Sequence, residues 1–333
     1  MTRGDHLPET SEKNLRISGA KKAELTSNEK IDSLSLSYEG FLKNKSDLTA
    51  KVYHATTEEF LSFISQNYKI RSISELSRNH IIFYKSHLIE KKNSDKTILK
   101  KLSAVSSLCS FLAFEGLIEK DICYGVSRPK TQNKKETADL TDDEVKLMLS
   151  SLDPKSHSYP LHHAILAVGF YTGLRSAEIR NLRVGAYGRI DGHMVLRTKI
   201  KGSKIHTVPL NPVVIRAIDD LIARKKELGH QVEEEDYLFS SLKYRLNKPI
   251  QPNSLKYVFD KALREAGIDR SSSMVRYSPH SMRATIASHL LNDKEVPLED
   301  VQRLLGHSSP TTTQRYNKRL KSYDKSPVYK IEY

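Results

Sequence analysis

The stretch HHAILAVGFYTGL, residues 162–174, constrains this chain more than any other. From Ala164 to Tyr171 it carries no charge, and its apolar side chains fall on every side of a helix. A helix that is apolar all round must be covered all round. It is therefore predicted to be a buried helix, ended at Gly173, with the elements on either side of it packed against it. It is too short to cross a bilayer, and no run in the chain approaches ~18 consecutive apolar residues.

The following segments supply a domain around it. LTDDEVKLMLSSL reads as a helix with Thr141 as N-cap, Glu144 closing a capping box and Leu140 with Val145 as a hydrophobic staple. After a short helix in RSAEIRNLR, the stretches HMVLRTKIK and KIHTVPL read as strands joined by Gly202-Ser203 in a type II′ turn. Asn211-Pro212 caps and starts a helix through Leu228. Further helices are expected at SLKYVFDKALREAG, SMRATIASHLLND, LEDVQRLLG and TTTQRYNKRL.

Upstream, four amphipathic segments repeat near a 3.6 period. Their apolar faces are Ile31, Leu34, Tyr38 and Leu42; Val52, Tyr53, Phe60, Leu61, Phe63 and Ile64; Leu76, Ile81, Ile82, Tyr84 and Leu88; and Ile98, Leu99, Leu102, Val105, Leu108, Phe111 and Leu112. The fold class is thus mainly α. A helical domain covers 28–126, a linker 127–138, and an α+β domain with a small antiparallel sheet 139–322. Residues 1–27 are polar and without periodicity, expected to be disordered, and 323–333 form a tail.

The chain of 333 residues holds 54 Lys and Arg against 40 Asp and Glu, a net charge of +14. Up to position 135 there are 23 basic against 16 acidic residues, and beyond it 31 against 24, so each part carries +7. Charge spread over both domains suits a protein that meets a polyanion with each. The N-terminus has no apolar signal-peptide core, and a cytoplasmic, membrane-free setting is expected. Cys109 and Cys123 have neither metal-site spacing nor the look of a disulfide framework, and Cys109 reads as core.

Four separated stretches carry chemistry. In YTGLRSAEI, Arg175 stands where the buried helix ends; on its own it reads as an ion-pair partner of Glu178 one turn on. In KIKGSKIHTVPL, Lys201 and Lys204 flank the hairpin turn. In SPHSMRATIASHLL, His280 and Arg283 share a helix face. In LLGHSSPTTTQRY, His307 precedes Tyr316 by nine residues. Each alone is an ordinary surface feature.

In this order and spacing they resemble the tyrosine recombinase (phage integrase) family, from about Leu140 to Tyr316, and the four-helix segment resembles that family's SAM-like core-binding domain. The resemblance implies a site-specific recombinase or integrase that cuts and rejoins double-stranded DNA through a 3′-phosphotyrosine, without metal, ATP or other cofactor. It implies catalytic roles for Arg175, Lys201, His280, Arg283, His307 and the nucleophile Tyr316, both domains on the duplex, and a homo-tetramer on paired sites; for the tail, docking on a neighbouring protomer and a loose terminus are equal alternatives. Ala284 and Asn317-Lys318 depart from residues common in relatives, at positions the chemistry does not require.

The residue types make chemical sense on their own terms. Two guanidiniums can fork to the nonbridging oxygens of a phosphorane and stay charged. A hairpin lysine can protonate the leaving 5′-oxygen, His280 can take or orient the tyrosine proton, and His307 can donate to a nonbridging oxygen. The cationic surroundings are expected to favour phenolate character in Tyr316, whose ordinary pKa is ~10. Lys204, Lys130, Lys134 and Lys135 are candidate DNA-phosphate contacts; for the linker lysines, solvated charge explains their presence equally well. A type IB topoisomerase shares the catalytic residue types, and a non-catalytic DNA-binding protein on the same fold is the other alternative. The hairpin pattern and the upstream helical domain favour the recombinase.

Overall fold

The computed structural model describes residues 37–129, 136–200, 204–243, 248–268, 275–317 and 328. Lys130, Lys134, Lys135, Lys201 and the segments 1–27 and 323–327 lie outside these residues. The chain divides into two compact units, Met1–Gln132 and Asn133–Tyr333.

In the first unit, helical residues 37–42 precede α1 (Asp47–Asn67), α2 (Arg78–Glu90) and α3 (Asp95–Phe114). The hydroxyls of Ser46 and Ser94 cap α1 and α3, accepting from the Thr49 and Thr97 amides and satisfying donors the helix cannot pair itself. Tyr38, Leu42, Phe60, Ile64, Ile81, Tyr84, Leu88, Ile98, Leu102, Val105, Leu108, Phe111 and Leu112 form one core. α3 is long and apolar enough to cross a membrane by composition, but that apolar stripe lies in this core. The third segment departs from its expected single helix. A 3₁₀ turn at Ile73–Glu75 comes first, and Ser77 restarts the chain as α2, which leaves Ile82 41% exposed.

The second unit contains, in chain order, β1 (Glu136–Thr137), α4 (Asp142–Ser150), α5 (Tyr159–Thr172), α6 (Ser176–Arg180), β2 (Tyr187–Ile190), β3 (His193–Lys199), β4 (Ile205–Pro209), α7 (Pro212–Glu227), α8 (Pro252–Glu265), β5 (Val275–Arg276), α9 (His280–Ser288), α10 (Leu298–Leu305) and α11 (Pro310–Gln314). A π-turn, His289–Asp293, continues α9. α5 is the central helix: Ala164 through Phe170 are buried, and α4, α7, α8 and α9 pack around it. The Thr141–Glu144 capping box is formed, and Asn211 Oδ1 accepts the Val213 amide at the head of α7.

β2, β3 and β4 make an antiparallel sheet in that order, while β1 pairs in parallel with β5. β2 was not expected from the sequence. Its signal was present in Asp191-Gly192, both at positive φ (49° and 82°), the pair that favours a tight hairpin. In the β3–β4 hairpin, Lys199 lies opposite Ile205, and the Ile200 amide donates to the Lys204 carbonyl at 2.9 Å. The expected Gly202-Ser203 turn lies outside the described residues.

Candidate active site

Two helix ends place the two arginines. α5 stops at Gly173, which takes the left-handed conformation (φ 64°). A β-carbon there would meet Leu305 Cδ2 at 2.6 Å and Ile286 Cγ2 at 2.8 Å, so glycine is required for both backbone and packing. α10 ends in the same way at Gly306 (φ 62°), and the His307 amide turns back to the Gln302 carbonyl at 3.1 Å.

Arg283, on α9, reaches both ends. Its Nη1 donates to the Gly173 carbonyl at 2.6 Å and its Nη2 to the Leu305 carbonyl at 2.5 Å. Helix C-termini are poles of negative potential with unpaired carbonyls, which suits a buried cation. Arg283 is 1% exposed. Burial and the neighbouring Arg175 lower its pKa to about 10, partly offset by Glu178 and Tyr316, so it remains charged at neutral pH.

Arg175 follows Gly173 directly. Its Nη1 donates to Glu178 Oε1 at 2.7 Å, and its amide to Glu178 Oε2 at 2.7 Å. The ion pair expected from the sequence is therefore formed. Glu178 is nearly buried and holds the guanidinium in place, while the Arg175 side chain stays 39% exposed.

His280 starts α9, and its Nε2 lies 3.3 Å from Tyr316 Oη. It keeps solvent on one side, yet partial burial of its ring, then Arg283 and Arg175, hold its pKa below the usual histidine value. His307 is 7% exposed and its Nδ1 lies 2.8 Å from Thr313 Oγ1. Burial first, and then Arg283, Arg175 and His280, lower its pKa to about 4. Both imidazoles are thus neutral at pH 7. His307 and Tyr316 lie nearly parallel, 10° between planes and 6.5 Å between centroids.

Tyr316 corrects one expectation. Arg283, Arg175 and Arg315 pull its pKa down, but burial outweighs them and the phenol stands above its ordinary value. The resting site therefore holds a neutral phenol beside a neutral imidazole, and the proton must move during attack. A second correction is local: the expected helix TTTQRYNKRL ends at Gln314, so Tyr316 lies just past α11 with its amide bonded to the Thr313 carbonyl at 3.0 Å.

The fold thus brings Arg175, His280, Arg283, His307 and Tyr316 together within one unit. Lys204 stands exposed on β4's leading edge. A groove of about 580 Å³ at Glu178 is lined by Ile200 and by Arg183, Arg197 and Lys199, three basic groups that sequence reading passed over because each sits in an unremarkable polar stretch. Arg183 is stacked on Tyr237 at 3.5 Å, and Arg197 donates to the Gly185 carbonyl.

In the first unit, Cys109, Asp121 and Cys123 meet with ligand atoms within 4.8 Å, which their sequence separation did not suggest. Asp121 already accepts from the Cys123 amide (2.9 Å) and the Ser110 hydroxyl (3.3 Å). The hydrogen bond that the Cys109 thiol donates to Cys123, together with burial, raises the Cys109 pKa. The trio reads as a satisfied turn against α3.

A buried arginine strung between two helix ends, a second arginine beside it and a histidine-paired tyrosine form one cationic cluster. Residues 138–322 match the phage integrase family and residues 38–116 the phage integrase N-terminal SAM-like domain. The chain belongs to the phage integrase, or tyrosine recombinase, family. It is 28% identical over 299 residues to tyrosine recombinase XerC of Bacillus pumilus, covering 88% of this chain and 92% of that one. To XerC of Natranaerobius thermophilus it is 29% identical over 279 residues, covering 82% and 89%. Its fold is shared with XerH recombinase bound to difH substrate in a pre-cleavage complex (TM-score 0.66, 18% identity, 92% and 84% covered). The lambda integrase tetramer bound to a Holliday junction also shares it (TM-score 0.64, 16% identity, 90% and 80% covered).

Proposed function

We propose that this chain is a site-specific DNA recombinase that cleaves one strand at a time through Tyr316. The observation that carries the reading is the Tyr316 Oη–His280 Nε2 contact beside two guanidiniums. Tyr316 Oη attacks the scissile phosphorus while its proton passes to the neutral His280 Nε2. Arg175 and Arg283 bind the nonbridging oxygens, where charge builds, and the His307 imidazole donates to one of them. The P–O5′ bond breaks and Lys201 protonates the departing oxygen. The products are a 3′-phosphotyrosine and a free 5′-hydroxyl. Attack by the 5′-hydroxyl of another strand reverses the steps, and the phosphodiester bond energy is retained in the intermediate. Lys130, Lys134, Lys135 and Lys204 bind DNA phosphates.

Exchange between two duplexes requires four cuts, which supports a homo-tetramer on paired sites, and XerH and lambda integrase are themselves known in complexes with DNA. With chromosomal or mobile-element DNA as substrate, the cytoplasm is the place of action.

A nicked suicide substrate tests the chemistry. It should trap a covalent protein–DNA adduct on a denaturing gel. Lys201→Ala should cripple adduct formation on ordinary DNA and recover when the scissile 5′-bridging oxygen is replaced by sulfur, because a thiolate leaves without a proton. Lys204→Ala should weaken DNA binding a few-fold with a shallower salt dependence and gain nothing from sulfur. Rescue of Lys204→Ala with Lys201→Ala left inactive would exchange the two roles.

A further inference from the structure

Tyr316 lies past the end of α11, so its backbone is not fixed by the helix alone. Its amide is bonded to the Thr313 carbonyl. Its carbonyl is bonded to another element: Asn292 Nδ2 donates to it at 3.0 Å, across 24 residues of sequence. The same amide nitrogen also reaches Ser288 Oγ at 3.0 Å, using its second hydrogen, and Ser288 is buried.

Asn292 belongs to the π-turn His289–Asp293, which continues the helix bearing His280 and Arg283. The turn closes with the Lys294 amide on the His289 carbonyl. It is anchored at its start, where His289 Nδ1 meets Asp142 Oδ1 at 2.8 Å and His289 Nε2 lies 2.8 Å from the Leu140 carbonyl. π-turns are rare, and a side chain carried on one lies off the helix's regular progression. Leu291 of the same turn is buried with Val301, Leu305 and, at its edge, Tyr316.

We propose that Asn292 is a positioning residue for the nucleophile: it ties the Tyr316 main chain to the helix that carries His280 and Arg283, so that attacking oxygen, base and phosphate clamp move as one body. This rests on the reading of Tyr316 as nucleophile. A displacement of about 1 Å in a reacting group can cost on the order of 10²-fold in rate, far more than one peripheral hydrogen bond contributes to stability.

The test uses Asn292→Asp, which keeps the shape but presents a carboxylate to the Tyr316 carbonyl, and Asn292→Ala. Adduct formation is measured in a single turnover at saturating suicide substrate, alongside DNA affinity and thermal unfolding. Both variants should form adduct about 10- to 100-fold more slowly, with DNA affinity within about twofold of wild type. Sulfur at the leaving oxygen should not restore the rate, because departure is not the impaired step. Adduct formation within twofold of wild type in both variants would overturn the proposal, as would a loss confined to DNA affinity or a full rescue by sulfur. Tyr316→Phe runs in parallel. If it still forms adduct, the nucleophile reading itself fails; if it is inert while both Asn292 variants keep wild-type rates, only the positioning role fails.

Discussion

The two units bury different things. Among the described residues of the helical unit, the buried polar ones are hydroxyls, Thr56 and Thr57, set among aliphatic and aromatic side chains. The second unit buries Arg283, Glu178, Lys225 and His307. Lys225 donates to the Tyr237 carbonyl and Ser240 Oγ, both at 2.9 Å, and so joins α7 to a neighbouring loop. The others converge on Tyr316. An interior charge is expensive unless every donor is met, and replacing such groups with apolar ones is commonly neutral or stabilising. Stability therefore does not explain this cluster, while the proposed mechanism, which needs fixed, dry charge at a reacting phosphate, does. The first unit needs only a packed core and a basic surface; the second needs charges held at defined points.

The largest effects should come from the arginines. Arg283→Lys and Arg175→Lys should each lower single-turnover adduct formation by about 10²–10³-fold, because a point charge cannot fork to two oxygens. They should differ in stability. Arg283→Lys leaves at least one of the Gly173 and Leu305 carbonyls unpaired in a buried place and should lower unfolding free energy by roughly 1–3 kcal/mol; Arg175→Lys should change it little. Equal stability loss in both, read by thermal unfolding, would break the contrast between a buried and a half-exposed clamp.

Next come two glycines with nearly the same backbone. Gly173 (φ 64°) has Leu305 and Ile286 where a β-carbon would stand; Gly116 (φ 66°), in the first unit, has nothing within 4 Å. Gly116→Ala should cost about 1–2 kcal/mol from backbone strain alone. Gly173→Ala should cost roughly 2–4 kcal/mol, adding overpacking, and should also slow cleavage by shifting the carbonyl that holds Arg283. Hydrogen exchange within each unit reads the two costs separately, and a larger loss for Gly116→Ala would contradict this packing.

A smaller effect sharpens the electrostatic half. His307 falls to about 4 in the folded chain against an unfolded value of ~6.5. Below pH 6.5 the unfolded chain binds the extra proton, so folding stability falls as pH drops from about 6.5 toward 4, by about 2 kcal/mol at pH 5. His162, pushed down to about 4 chiefly by burial, has the same sign. His307→Gln should therefore flatten the acid limb of a Tm-against-pH curve only in part. Cleavage should fall on the same side, since a protonated His280 cannot accept the tyrosine proton. A curve that His307→Gln leaves unchanged would show that the ring is not held in a dry, cationic place.

Much of this was legible because the signals are short-range. The Thr141–Glu144 box, the Asn211-Pro212 start, the apolar helix ending at Gly173 and the His307-to-Tyr316 spacing each depend on residues a few places apart. What escaped depends on distant residues or on register. Nothing near Arg283 announces the Gly173 and Leu305 carbonyls, 110 and 22 residues away. The register of β3 on β4 is set by cross-strand pairs such as Lys199–Ile205, which no short-range pattern announces. The π-turn and the reach of Asn292 to Tyr316 leave no periodic trace. The Tyr316 pKa was misjudged for the same reason: charges can be counted from the sequence, whereas burial, the larger influence, cannot.

The central claim, that Tyr316 is the nucleophile, is tested most directly by proteolysis and mass spectrometry of the covalent adduct trapped on a nicked suicide substrate, compared with Tyr316→Phe. The account predicts that wild-type adduct maps to the peptide containing Tyr316, with a 3′-phosphate linkage and a free 5′-hydroxyl on the released strand. Tyr316→Phe should bind the same DNA with unchanged affinity and give no adduct. An adduct on any other residue, or one of normal yield in Tyr316→Phe, would contradict it.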